Sequence, residues 1–146
     1  MLKGLDPLLN ADLLHTLRAM GHGDDIAIVD GNFPAATMGR RLIRMDGHSA
    51  TRVLDAVLSV MPLDTFVETA AWRMEVVDDP SAVPPICTEF QDCIDRAEGK
   101  GRFSLGSLER FAFYEQTRAC FAVVATGESR LYGNIILRMG VIPPKE

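Results

Sequence analysis

A histidine held between two glycines opens the chemistry of this chain. Met20-Gly21-His22-Gly23-Asp24-Asp25 runs into the apolar stretch Ile26-Ala27-Ile28-Val29 and then Asp30. A helical pattern ends at Met20 and a strand begins near Ile26, which puts His22 in a tight turn and Asp30 at the far end of the strand. Glycine on both sides lets the backbone take unusual torsions and lets a ligand approach closely. A turn imidazole and a strand-end carboxylate suit proton transfer, because histidine titrates near neutrality and ligands of α/β sheets bind beyond the carboxyl ends of strands. Each has a structural reading beside the functional one: a turn residue for His22, a cap on the following element for Asp30. Sequence alone leaves both readings open.

Other side chains could join them. Tyr132 and Asn134 flank Gly133 inside an apolar run, where alternation puts both on one strand face; a polar edge strand is the plainer reading. Arg110 and Tyr114 are four apart at the start of a helix and share a face, the ordinary case being a packing aromatic beside a surface arginine. His15 falls within the first helix, and His48 lies in the polar turn Asp46-Gly47-His48-Ser49 at the start of another. Trp72 reads as a core or subunit-contact residue before it reads as a sugar platform. Phosphate-cradling glycine loops are missing, as are the G-x-S-x-G elbow and the H-E-x-x-H zinc motif. Gly21-His22-Gly23 precedes a strand rather than a helix, the wrong context for a dinucleotide turn. No cofactor or metal is expected.

The elements that must position these residues follow from periodicity. Apolar residues at helical spacing run from Pro7 to Met20, with Asn10 as the cap, and Gly21 ends them. Ile26 to Val29 reads as a strand covered on both faces, Asn32 to Ala36 as loop, and Leu42 to Met45 as a second strand. A helix capped by Ser49 extends to about Val60, Phe66 to Val77 is rich in strand formers, and Pro84 to Glu98 reads as a helix opened by a proline pair. Gly99 to Gly106 is loop, Leu108 a short strand, and Arg110 to Ala119 helical. Cys120 to Ala125 and Leu131 to Met139 are strands about the turn signal Thr126-Gly127-Glu128-Ser129, so a hairpin is expected. Alternating strands and helices predict one α/β domain over 1–146. It is a three-layer α/β/α fold with a mixed, mostly parallel central sheet and an antiparallel C-terminal pair.

Composition narrows the function class. The 146 residues, 47% of them hydrophobic, are enough for one compact core. A net charge of -5 and no basic stripe argue against nucleic acid as partner, and no apolar run approaches the roughly 18 residues of a membrane helix. No signal-peptide pattern opens the chain, so the cytoplasm is the expected compartment. Cys87, Cys93 and Cys120 are an odd set without C-x-x-C spacing and are read as free thiols.

An ordered set of segments then resembles one family. The segments are Leu2-Lys3-Gly4 with Pro7-Leu8-Leu9, Met20 to Asp24, Asp30 with Asn32-Phe33-Pro34-Ala35, Ile43-Arg44 with Asp46-Gly47, and Pro62-Leu63-Asp64. The series continues through Glu109 to Glu115, Ala122 to Glu128, and Tyr132-Gly133-Asn134 with Gly140-Val141; it is weakest between Phe66 and Ser107. Together they resemble the L-fucose mutarotase family, which is related to D-ribose pyranase. The resemblance implies cofactor-free exchange of sugar anomers, with L-fucose as the sugar and D-ribose-type exchange or a non-catalytic sugar-binding module as alternatives. It implies that His22 is the proton donor, that Asp30, Arg110, Tyr132 and Asn134 bind the sugar, and that Asp64 and Tyr114 belong to the site. It also implies a ring-shaped homo-oligomer with the sugar site at subunit boundaries.

Overall fold

The computed structural model describes residues 1–146. The elements in chain order are α1 (Ala11–Ala19), β1 (Asp25–Val29), α2 (Ala35–Met38), β2 (Leu42–Met45), α3 (Ala50–Leu58) and β3 (Ala71–Met74). They continue with α4 (Pro85–Glu98), β4 (Gly106–Leu108), α5 (Arg110–Ala119), β5 (Ala122–Thr126) and β6 (Ile135–Arg138). α1, α3 and α5 begin where side chains satisfy their free N–H groups, whereas α2 and α4 open on Pro34 and Pro84. Asn10 accepts from the Leu13 N–H, Ser49 from that of Arg52, and the Glu109 carboxylate from those of Phe111 and Ala112.

The six strands form one sheet in the order β2-β5-β1-β6-β3-β4. β1 pairs parallel with β5, as do β2 with β5 and β3 with β4, while β6 runs antiparallel to both its neighbours, β1 and β3. The sheet is therefore mixed with a parallel majority. Strand alternation splits the core into two layers. Ile26 and Ile28 join Ile135 and Leu137 under α1, α3 and α4. Ala27, Val29, Val123 and Ile136 face α2 and α5, where Phe113 fills the centre.

Four expectations need correction. β5 and β6 are not a hairpin, because β1 lies between them. Ile26 to Val29 are wholly buried, and a strand covered on both faces takes the sheet centre and draws a partner to each edge. The residues between β5 and β6 cross the end of β1 instead of turning tightly. The last strand is also shorter than Leu131 to Met139: Tyr132 has φ +63°, which extended pairing excludes. Tyr132 and Asn134 thus project from a loop and not from a strand face. β3 is confined to Ala71–Met74, matching its three- and four-residue partners, and leaves Phe66 exposed ahead of it. The stretch read as loop at Asn32 to Ala36 ends in α2, a single turn opened by Pro34.

Candidate active site

At the carboxyl end of β1 the chain builds a cavity of about 270 Å³ whose walls include Asp30, Arg110, Tyr114, Tyr132 and Asn134. Its volume is at the small end of ligand pockets and suits a small polar ligand. Asp30 and Asn134 are 5% and 4% exposed. Asn134 Oδ1 accepts from the Asp30 N–H at 2.8 Å, and Asp30 Oδ1 accepts from the Asn32 N–H at 2.9 Å. Burial pushes the Asp30 carboxyl above the ordinary carboxylate range, with hydrogen bonds from Asn32 and Asn134 pulling partly back. Tyr132, fixed by its left-handed backbone, accepts the Val77 N–H on its hydroxyl at 3.1 Å. Across the cavity, Arg110 Nε donates to the Tyr114 hydroxyl at 3.1 Å, one helical turn on. Phe33 packs edge-on against Tyr114 at 5.5 Å and supplies an apolar wall. The cavity offers fixed donors and acceptors around one apolar side, an arrangement suited to a polyhydroxylated ligand.

His22 and Asp64 are elsewhere. His22 Nε2 stands 3.0 Å from Asp64 Oδ1, with the imidazole 44% exposed and the carboxylate side chain 2% exposed. Burial alone would raise Asp64, but the Phe66 N–H, the bond to His22 and the charges of His22 and Arg138 outweigh it and hold the carboxyl below its ordinary value. An ionised Asp64 that accepts from Nε2 leaves Nδ1 as the free nitrogen of His22, the same division of labour by which a buried carboxylate orients a catalytic imidazole. The Phe66 ring lies 5.2 Å from the imidazole.

Backbone pairing at the end of β6 fixes both partners. The Gly23 N–H donates to the Met139 carbonyl and the Asp64 N–H to that of Arg138. The Gly140 N–H donates to the Pro62 carbonyl. Gly140 lets the two strands touch: a Cβ there would stand 2.5 Å from the Leu63 carbonyl oxygen and 2.8 Å from the Asp64 Cα. Gly140→Ala must displace the segment that carries Asp64, at an expected loss of about 1–3 kcal/mol in urea unfolding. Stability within about 0.5 kcal/mol of the parent, the range of a featureless surface change, would mean the segment yields freely.

The seven residues singled out from the sequence therefore fall into two groups, His22 with Asp64 and the other five around the cavity. The five residues of β1 that separate His22's turn from Asp30 advance the chain by about 16 Å. That exceeds any hydrogen-bond reach, and no single ligand of monosaccharide size bridges the two groups within one chain. Sequence reasoning counted Gly140 within the resemblance but gave it no role, since its role rests on close packing against residues far away in the chain, and it missed the pairing of His22 with Asp64. His48 joins neither group; it borders an open cavity near Arg44 and Arg52. Trp72 lies beneath the Arg138 guanidinium at 4.9 Å, and Arg138 is held by Asp25. No group of three or more His, Cys, Asp or Glu side chains is placed to hold a metal ion, and no helix is long and apolar enough to cross a membrane.

Comparison with known proteins gives this geometry its context. The chain is 45% identical to the fucose mutarotase of Bos taurus, covering 100% of this chain and 97% of that one. It is 41% identical to an L-fucose mutarotase of Haemophilus influenzae, covering 98% and 99%. Its fold superposes with a TM-score of 0.90 on a crystal structure of the fucose mutarotase from Streptococcus pneumoniae in complex with L-fucose, at 39% identity over 97% of this chain and 100% of the other. The model of the RbsD / FucU transport protein family matches residues 3–142. By that end-to-end match the chain belongs to the RbsD / FucU transport protein family.

Proposed function

We propose that this protein interconverts the α and β anomers of L-fucose by acid/base opening and closing of the sugar ring. One observation carries the reading: relatives that match the chain from end to end are fucose mutarotases, one of them solved with L-fucose bound. The site chemistry agrees. Opening a cyclic hemiacetal puts a proton on the ring oxygen and removes one from the anomeric hydroxyl; the aldehyde rotates about its bond to C2 and closes on the other face. Atoms and protons balance without a cofactor. His22, oriented through Nε2 by Asp64, serves as the proton-exchanging group. Asp30, Arg110, Tyr114, Tyr132 and Asn134 hold the sugar. The Arg110 guanidinium supplies a planar fork of donors that selects among hydroxyl patterns.

The two groups cannot act together inside one chain, so the working site is proposed to form between copies, the His22 end of one subunit meeting the Asp30 cavity of the next. Exposed apolar side chains support this at both ends: Phe66 beside His22, 73% exposed, and Leu131 in the cavity wall with Phe111 against Tyr114, 65% and 64% exposed. Contacts between unlike ends close into a ring when the rotation permits. The cytoplasm is the proposed compartment, in keeping with three buried thiols that form no disulfide.

Freshly dissolved α-L-fucose followed by polarimetry tests the activity. The approach to the equilibrium rotation is expected to accelerate in proportion to enzyme concentration. Saturable fucose binding with an unaltered rate would identify a sugar-binding module instead.

A further inference from the structure

Arg73 is the only cationic side chain buried in the fold, with 8% of its surface exposed. Strand alternation turns Trp72 and Met74 toward the α5 layer and Arg73 toward α4. Its guanidinium makes one hydrogen bond to oxygen, from Nη1 to the Met74 carbonyl at 3.4 Å, and its other neighbour is the Cys87 thiol. No carboxylate oxygen stands within 4.0 Å of it, and none of the chain's ion pairs includes it. A guanidinium carries five donors; no buried side-chain nitrogen of the chain lacks a partner, so the remaining donors of Arg73 reach the open space of the groove beside it.

The surroundings do not supply the missing anion. Arg73 lines a groove of about 350 Å³ between α4 and the β3–β4 edge, with Cys87, Thr88, Gln91 and Ser107 among its other walls. Gln91 is fully engaged: Nε2 donates to Asp95 and the Phe103 carbonyl, and Oε1 accepts from the Leu105 N–H. Burial pushes the Cys87 thiol up, against the pull of Arg73, so it stays neutral. Glu75 follows two residues after Arg73, but its carboxylate accepts from the Ser107 hydroxyl at 3.3 Å.

We propose that this groove binds a small anion, a carboxylate or a phosphate, with the Arg73 guanidinium as its floor and the Thr88 hydroxyl at its rim. Both head groups match the fork geometry of arginine. The groove opens on the opposite face of β3 from the sugar cavity, whose wall includes Met74. Its occupant and the sugar therefore share a strand but no space.

Titration calorimetry and thermal unfolding of the assembled protein, with inorganic phosphate and with succinate, test the site and separate the two head groups. At least one anion is expected to bind saturably and to raise Tm by about 5 °C at about thirty times Kd. Arg73→Met removes the charge, keeps an apolar stem of similar length and is expected to fold at least as stably without anion. It is expected to lose at least tenfold in affinity and the Tm shift, while fucose exchange is unchanged. Arg73→Lys, which keeps the charge without the fork, is expected to bind more weakly than the parent and more tightly than the methionine variant. Non-specific salt stabilisation would persist in all three proteins. Absence of saturable binding by both anions, or equal binding by the parent and Arg73→Met, would overturn the proposal without touching the sugar reaction.

Discussion

His22→Ala is expected to slow anomer exchange of L-fucose at least about tenfold, as befits a group type that contributes on the order of 10²–10⁴-fold. Asp64, ionised and nearly inaccessible, holds Nε2 of His22 and leaves the other ring nitrogen for the proposed proton transfer. Removing the imidazole removes the proton carrier and spares the frame. The ring is 44% exposed, water can take its place, and the Asp64 carboxylate keeps its bond from the Phe66 N–H. Saturation-transfer NMR on equilibrated fucose reads the exchange directly, and circular dichroism with light scattering checks fold and assembly. A folded, assembled variant that exchanges fucose at the parent rate would remove His22 from the mechanism.

Asp30→Asn is expected to slow exchange or weaken fucose binding by about tenfold, the size of a lost hydrogen bond to a charged group, with stability at pH 7 within about 1 kcal/mol of the parent or above it. The amide oxygen can keep the bond from the Asn32 N–H, so the loop after β1 retains its anchor. The charge is what disappears, and burial makes that charge unfavourable in the native state. The sign follows from linkage. A carboxyl raised by folding favours the native state fully below its unfolded pKa, near 3.9, and that advantage is lost as pH rises through the raised native value. Parent stability relative to the asparagine variant should therefore fall as pH rises from about 4 through that value. Urea unfolding across that range measures it. A parent that gains stability over Asp30→Asn with rising pH would show that the ionised carboxylate is held for structure.

Much of the frame was legible because it is encoded locally. The caps Asn10 and Ser49 and the proline pair that opens α4 mark helix starts by chemistry within a few residues. The unbroken apolar run of β1 announced a strand covered on both faces. The same run should have argued against a β5–β6 hairpin, since a central strand needs a partner on each side; the turn chemistry of Thr126 to Ser129 outweighed it. Tyr132 reads as a strand residue because it alternates with Asn134 about Gly133 at the head of an apolar run, and nothing local betrays its positive φ. That torsion is held by distant contacts such as the one to Val77. The His22–Asp64 pair likewise has no local signal, since 42 residues separate its members and the end of β6 aligns them. The separation of His22 from Asp30 is local: a five-residue strand between them cannot leave both on one small ligand. The family resemblance named these residues together, and the strand length keeps them apart within one chain, which is what the proposed site between subunits answers.

Subunit mixing tests that boundary most directly. His22→Ala and Asp30→Asn subunits, each of low activity, are dissociated, combined in equal amounts and reassembled, with native mass spectrometry to confirm mixed rings. If the His22 end of one subunit completes the Asp30 cavity of the next, half the boundaries receive an intact His22 and half of those an intact Asp30. About a quarter of the parent exchange rate should return, as expected for a contact between unlike ends. Mixed assemblies that exchange L-fucose no faster than the mean of the two variants would contradict a site shared between subunits.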